Sequence, residues 1–404
     1  SSWIPRKRAS SVKPTGSRMN NPAPTIALIA GEASGDQLGA ALVNELKAIY
    51  PDARFVGIAG RQMKAAGVET WWDCSELAVF GLFEVLSHFP RLLKLRRELV
   101  RRLLDLRPDV VIGIDAPDFN LGLEIRMRRE GIRTVQYVSP TVWAWREKRV
   151  RKIARAADLV LCLFPFEPEF FRHHAISATY VGHPLADQVE ENNDPRGARQ
   201  RIDLIPDATT VSLLPGSRLG EVSRLAEPMI GAARILSDRH PGIQFACAIA
   251  NQQVEAVFRD EMERLDAPAI RLVQQDPRSV IAAADTVLCA SGTATLEVML
   301  VNRPLVMTYR VAPSTYRLGK ALNLVKLKWF SLPNILADEG LVPELIQHEA
   351  TAENLADAAD RWLNDETARE RLFARFRSLH ETLQCDAGRK AAQAVAGLLG
   401  NTAA

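Results

Sequence analysis

The sequence has few cysteines and none placed to act together. Its five, Cys74, Cys162, Cys247, Cys289 and Cys385, are odd in number, far apart and mostly inside apolar runs. That pattern excludes a disulfide framework and a C-x-x-C metal site, and reads as small buried side chains in a reducing cytoplasm. Long apolar runs are missing too, since none reaches the ~18 residues of a membrane-spanning helix. So is an excess of charge: 51 Lys and Arg stand against 48 Asp and Glu, and bulk charge gives no reason to expect a polyanion. There is no Asp-x-Asp pair for a metal–diphosphate clamp, no H-E-x-x-H and no G-x-S-x-G elbow. These absences count against a metal-dependent transferase and a serine hydrolase, and no metal or cofactor is expected.

What is present is alternation. Short β-type runs are separated by amphipathic segments along 404 residues, which predicts an α/β fold of two domains with parallel sheets. Strands are expected at TIALIA (25–30), RFVGIAG (54–60), VVIGID (110–115), RTVQYV (133–138), DLVLCLF (158–164) and TYVGH (179–183). A second set follows at TTVSLLP (209–215), IQFACAIA (243–250), IRLVQ (270–274), TVLCA (286–290) and PLVMTY (304–309). Residues 1–24 open with the basic, Ser- and Pro-rich SSWIPRKRASSVKPTGSR, lack an apolar core and are expected as a disordered extension, with Met19 as an alternative start. The charged stretch at 185–206 has no strand character and is the expected linker between a first domain, 25–184, and a second, 207–365. The architecture implied is two Rossmann-like domains facing a cleft, with ligands beyond the carboxyl ends of the strands.

Four loops at such ends carry the chemistry. In AGEASGDQLGAAL, Gly31, Gly35 and Gly39 lie between strand and helix as in a phosphate loop, but without a P-loop ending or G-x-G-x-x-G spacing. Ser34 and Gln37 match a capping box. Capping leaves Glu32 unexplained, and Gly31 and Gly35 point to close approach by a ligand. GIDAPDFN ends a buried strand on Asp115, with Asp118 three residues on. A partly desolvated carboxylate there suits a general base, although Pro117 also fits a turn whose carboxylate bonds backbone amides. LLPGSRLGEV places Gly216 and Ser217 before Arg218, a bidentate donor at a helix start. CASGTATLEVML repeats that arrangement with Ser291, Gly292 and Thr293, and Glu297 one turn on can accept from ribose hydroxyls. The two loops together predict a nucleoside diphosphate site.

Two further stretches have open readings. SPTVWAWREKRVRKI sets Trp143 and Trp145 beside Arg146, Lys148, Arg149, Arg151 and Lys152, as a solvated basic helix face or a nucleic-acid contact that no second stretch supports. Residues 77–103 are apolar first and basic later, which fits either core packing or the interface of an anionic membrane.

Taken in order, AGEASGDQLGA, GIDAPDFN, SPTVWAWREKRVRKI, FPFEPEFF, YVGHPLAD, LLPGSR, ASGTATLEVML and SLPNILA resemble the lipid-A-disaccharide synthase family, from about residue 25 to the C-terminus. The resemblance implies a glycosyltransferase-B fold and a metal-independent, inverting reaction. UDP-2,3-diacylglucosamine would be joined to 2,3-diacylglucosamine 1-phosphate, giving a β-1,6-linked disaccharide and UDP. It implies that Asp115 takes the acceptor's 6-hydroxyl proton, with Asp118 as the alternative. Arg218 would hold the diphosphate with Gly216, Ser217, Ser291, Gly292 and Thr293. Glu297 would hold the ribose, and Asn334 would face the cleft with Tyr309 and Arg310. Gly31, Glu32, Ser34, Gly35 and Asp36 would lie on the acceptor side.

The acyl substrates imply a protein peripheral to the inner face of the bacterial inner membrane. That turns Leu77, Val79, Phe80, Leu82, Phe83, Val85 and Leu86 toward membrane or acyl-chain contact. The C-terminal helices of 366–404 are expected to pack back on the first domain or to be exchanged in a homodimer, and nucleic acid is not an expected partner. Rival readings are a UDP-sugar 2-epimerase on the same fold and a catalytically silent nucleotide-sugar-binding protein.

Overall fold

The structure, a computed structural model, describes residues 23–77, 82–140, 149–190, 194–274, 276–312 and 328–400, except for the side chains of 82–90. The apolar runs become strands of two parallel sheets, mostly buried on both faces, as expected where helices cover both sides. The first sheet contains β1 (Thr25–Ala30), β2 (Arg54–Ala59), β3 (Glu69–Asp73), β4 (Val110–Ile114), β5 (Arg133–Tyr137), β6 (Leu159–Cys162) and β7 (Ala178–Tyr180). Its order is β3-β2-β1-β4-β5-β6-β7. The second contains β8 (Thr210–Leu214), β9 (Gln244–Ile249), β10 (Ile270–Gln274), β11 (Thr286–Ala290), β12 (Leu305–Tyr309) and β13 (Glu344–Ile346), in the order β10-β9-β8-β11-β12-β13.

β3 and β13 were not expected from the sequence. Both are edge strands, and their half-exposed residues give no continuous apolar run. In each sheet the order reverses beside the first strand, at β1/β4 and at β8/β11. Such switch points open the crevice in which Rossmann-like sheets bind ligands.

The chain passes between the two domains twice. The helix Glu366–Leu383 buries Leu372, Phe376 and Leu383 in the second core, whereas Ala391, Ala392 and Val395 of the helix Ala387–Gly400 are buried in the first. The two crossings are laced together. His183 N donates to Leu383 O at 2.9 Å and Tyr180 Oη to Thr382 O at 2.6 Å. The Asp187 carboxylate accepts from the amides of Cys385, Asp386 and Ala387 at 3.0, 2.9 and 2.7 Å, capping the last helix. Among the described residues no helix is long and apolar enough to cross a membrane.

Candidate active site

At the first switch point, β4 runs straight into the helix Pro117–Arg129. Proline at its first position presets the helical φ. The connection is strained: Asp115 and Ala116 both have positive φ, 52° and 41°, and left-handed non-glycine residues cost roughly 1–3 kcal/mol each. Three hydrogen bonds hold the turn. Asp115 N donates to Tyr137 O at 2.9 Å, and the Asp115 carbonyl accepts from Asn120 Nδ2 at 2.8 Å and Gln136 Nε2 at 3.3 Å. Burial raises the Asp115 carboxyl above the ordinary aspartate value, and a hydrogen bond from the Ala116 amide opposes part of that rise. Asp118, by contrast, is exposed and ion-paired to Arg149 at 2.9 Å. Of the two carboxylates, Asp115 has the environment of a base. Asn120 and Gln136 were not singled out from sequence, although a glutamine inside the apolar strand RTVQYV was a readable signal.

The loop after β1 departs from expectation. A methyl group at Gly31 would lie 2.5 Å from Ala116 Cβ, so glycine is needed here to admit the neighbouring Asp115–Ala116 turn. The helix begins at Ala33 with Glu32 as its N-cap residue and no side-chain cap bond. Ser34 is therefore inside the first turn, exposed, and the expected capping box is not formed; Gln37 Nε2 instead donates to Gln188 Oε1 at 3.2 Å. That helical phase leaves Glu32 exposed but rotates Asp36 inward, with Gly35 buried before it. The Asp36 carboxylate accepts from Gly60 N at 2.7 Å, Gln62 N at 2.8 Å and Met63 N at 3.0 Å. It caps the helix Arg61–Ala65 and has no oxygen turned toward an acceptor. Leu77 is half-buried against the first core. Val79 and Phe80, the side chains of Leu82, Phe83, Val85 and Leu86, and residues 141–148 with Trp143 and Trp145 lie outside the described residues.

At the second switch point lie the loops expected to hold an anion. Gly216 has φ +106°, and a methyl there would lie 2.6 Å from the Glu221 carboxylate. Ser217 and Arg218 follow it at the surface. Arg218 caps the helix Leu219–Arg239 with its backbone, and its guanidinium is 83% exposed, with Glu221 at 3.4 Å. Gly292, at φ 114° and ψ −154°, adopts a conformation open to glycine alone, and leads into the helix Thr293–Leu300 with Thr293 exposed. Glu297 is half-buried one turn in; burial raises its carboxyl and Arg278 pulls it back. The two switch points are linked, since Gln188 Oε1 accepts from Gln37 of the first domain and from Arg278 Nη2, at 3.3 Å, of the second.

Two residues expected in this cleft are bound elsewhere. Asn334 is fully buried: its Nδ2 donates to Val342 O and Glu344 Oε1, both at 2.9 Å, and its Oδ1 accepts from Val342 N at 3.0 Å. Both ends of its amide are thus engaged inside the fold. Arg310 donates to the carbonyls of Gln347 and Ala350, at 3.3 and 2.5 Å, and so holds that turn. Tyr309 is half-buried against the second core. The organiser missed by sequence reading is Glu344, on the unexpected edge strand β13. Its carboxylate accepts from Phe330 N, Ser331 N and Ser331 Oγ as well as from Asn334. Ser291 Oγ donates to Phe330 O at 3.4 Å, and Thr295 Oγ1 accepts from Leu332 N at 3.2 Å while donating to Gly292 O at 2.8 Å. Asn334 and Glu344 thus brace the 291–293 loop from behind.

Known proteins share this two-domain fold. The structure resembles a UDP-GlcNAc 2-epimerase from Neisseria meningitidis solved with UDP-GlcNAc, at a TM-score of 0.62 and 10% identity, over 94% of this chain and 100% of that one. It also resembles the calicheamicin glycosyltransferase CalG4, at 0.57 and 16%, over 95% and 100%. At such identities the likeness shows the fold, two Rossmann-like domains shared by glycosyltransferases and epimerases. In sequence, the chain is 50% identical over 386 residues to the lipid-A-disaccharide synthase of Xanthomonas campestris, covering 95% of this chain and 88% of that protein. The sequence profile of one family matches residues 26–396, and the chain belongs to that family, the lipid-A-disaccharide synthetases.

Proposed function

We propose that this chain is the glycosyltransferase of lipid A assembly that joins UDP-2,3-diacylglucosamine to 2,3-diacylglucosamine 1-phosphate. Supporting the reading is one pairing: a half-buried carboxylate at the first switch point, and exposed glycine loops with an arginine at the second. Asp115 takes the proton of the acceptor 6-hydroxyl as that oxygen attacks the anomeric carbon. The bond to the UDP phosphate breaks on the opposite face, giving the β-1,6 linkage with inversion. Arg218 and the amides after Ser291 neutralise the charge gathering on the leaving diphosphate. Glu297, short of solvent and one turn from Gly292, accepts from the ribose hydroxyls. Glu32, exposed at the carboxyl end of β1, meets acceptor hydroxyls.

The test is UDP release measured with and without the acyl-sugar phosphate acceptor. Release that needs both substrates supports transfer. Release without acceptor, or 2-epimerisation of UDP-N-acetylglucosamine alone, sinks it in favour of the epimerase reading.

Acyl substrates belong at a bilayer surface, and we place the helix Leu82–Leu106 and the stretch before it there. A groove of about 430 Å³ supports this, lined by Leu93, Val100 and Ile125 with Arg96, Arg97, Arg126 and Arg129, apolar and cationic like an anionic-lipid interface. Replacing Val79, Phe80, Leu82 and Phe83 with Ser is expected to release the folded protein from anionic vesicles; unchanged co-sedimentation would count against it.

A further inference from the structure

Behind the Asp115 turn, β4, β5 and the helix Pro117–Arg129 enclose polar side chains that solvent does not reach. Asn120, Glu124 and Gln136 are all fully buried. Asn120 and Gln136 both point their amide nitrogens at the Asp115 carbonyl. Their amide oxygens find no donor among the described residues, and neither do the two carboxyl oxygens of Glu124. These groups share one space. A methyl at Gly113 would lie 2.3 Å from Glu124 Oε1 and 2.9 Å from Asn120 Cγ, so the glycine makes the room in which the two side chains meet. Gly113 pairs in register with Gln136, which brings the second amide to the same face of the sheet.

The chemistry of the group is short of donors. A buried acceptor without a partner is destabilising, because it gives up its water and gains nothing in return. An ionised Glu124 would add two more acceptors beside two amide oxygens, whereas a neutral carboxylic acid supplies an O–H. Burial drives it the same way: the Glu124 carboxyl lies well above its ordinary value, with Lys152 opposing only in part.

We propose that Glu124 is a positioning residue: a neutral acid whose O–H fixes the buried amide of Asn120, and through it the strained turn that presents Asp115. The inference rests on Asp115 being the base of the proposed transfer. Nothing in it requires Glu124 to touch substrate.

The experiment compares full-length wild type, E124Q, E124L and D115N for kcat, both KM values, UDP affinity, thermal unfolding and the infrared carbonyl stretch near neutral pH. E124Q keeps an N–H donor and is expected to turn over close to wild type. E124L loses the donor, and its kcat is expected to fall roughly 10–100-fold with KM and UDP affinity unchanged, because only the aim of the base is disturbed. The wild-type minus E124Q spectrum is expected to show the band of a protonated carboxylic acid that D115N retains. Wild-type turnover in folded E124L, equal damage in E124Q and E124L, or a missing band each overturns the assignment. Where E124L fails to fold, the E124Q rate and the band decide it. Inactive D115N with fully active E124L removes the positioning role alone, whereas active D115N removes the base itself.

Discussion

A carboxylate must be ionised to take a proton, and Asp115 is held where ionisation is harder. Its carboxyl lies above the 3.8 of an ordinary aspartate, so the acid limb of kcat/KM should lie above that pH, with activity falling as the pH drops through it. Asp115→Asn should lose roughly 10²–10⁴-fold in turnover while still binding UDP by calorimetry. Arg218→Ala should do the reverse, weakening UDP roughly 10–100-fold, the worth of one charge-assisted contact of ~1.5–3 kcal/mol. An unchanged UDP affinity would rule out its diphosphate role.

The acidic loop after β1 divides in the same way. Asp36→Ala strands three amides and should lower unfolding stability by roughly 2–4 kcal/mol, whereas Glu32→Ala should leave stability alone and raise the acceptor KM. Equal melting of the two variants would contradict this division. The candidates at strand ends stood out in the sequence because the proposed phosphate and proton chemistry needs glycine, arginine and carboxylate there. Direction was not legible: helical phase turns Asp36 inward, and Asn334 points at Val342 and Glu344, on a strand too short and polar to be noticed.

At the scale of elements, the β1 and β4 loops are one unit. Gly31 has room for no side chain because the Asp115–Ala116 turn stands over it. Gly31→Ala must therefore move either loop, and the strained turn is the softer of the two. Turnover should fall at least roughly tenfold, the cost of a misplaced base, with UDP affinity unchanged because the second sheet is untouched. A wild-type rate in the folded variant would show that the turn adjusts without cost. This coupling was hidden in the sequence, where glycine between strand and helix suggests a phosphate. Central strands were plain from their apolar runs, and of the four edge strands β3 and β13 were not, because they face solvent along much of their length.

At the scale of the whole molecule, the first domain is completed by the last residues of the chain. Ala391, Ala392 and Val395 fill its core, and Asp187 receives three amides at the start of their helix. Burying one valine contributes roughly 1.5–3 kcal/mol, and the charged cap adds to it. A chain ending at Leu383 keeps the second core intact, since that core already contains Leu372, Phe376 and Leu383. Scanning calorimetry of the truncated chain should therefore show two transitions, the earlier from the first domain, while UDP binding at the second survives below it. A peptide spanning 384–400 added in excess should raise the earlier transition toward the later one, because it restores both the apolar face and the amides that Asp187 requires. A single unshifted transition in the truncated chain would mean that the first domain is stable without this helix. The crossing would then serve to hold the two switch points together, and truncation would instead raise the acceptor KM with melting unchanged.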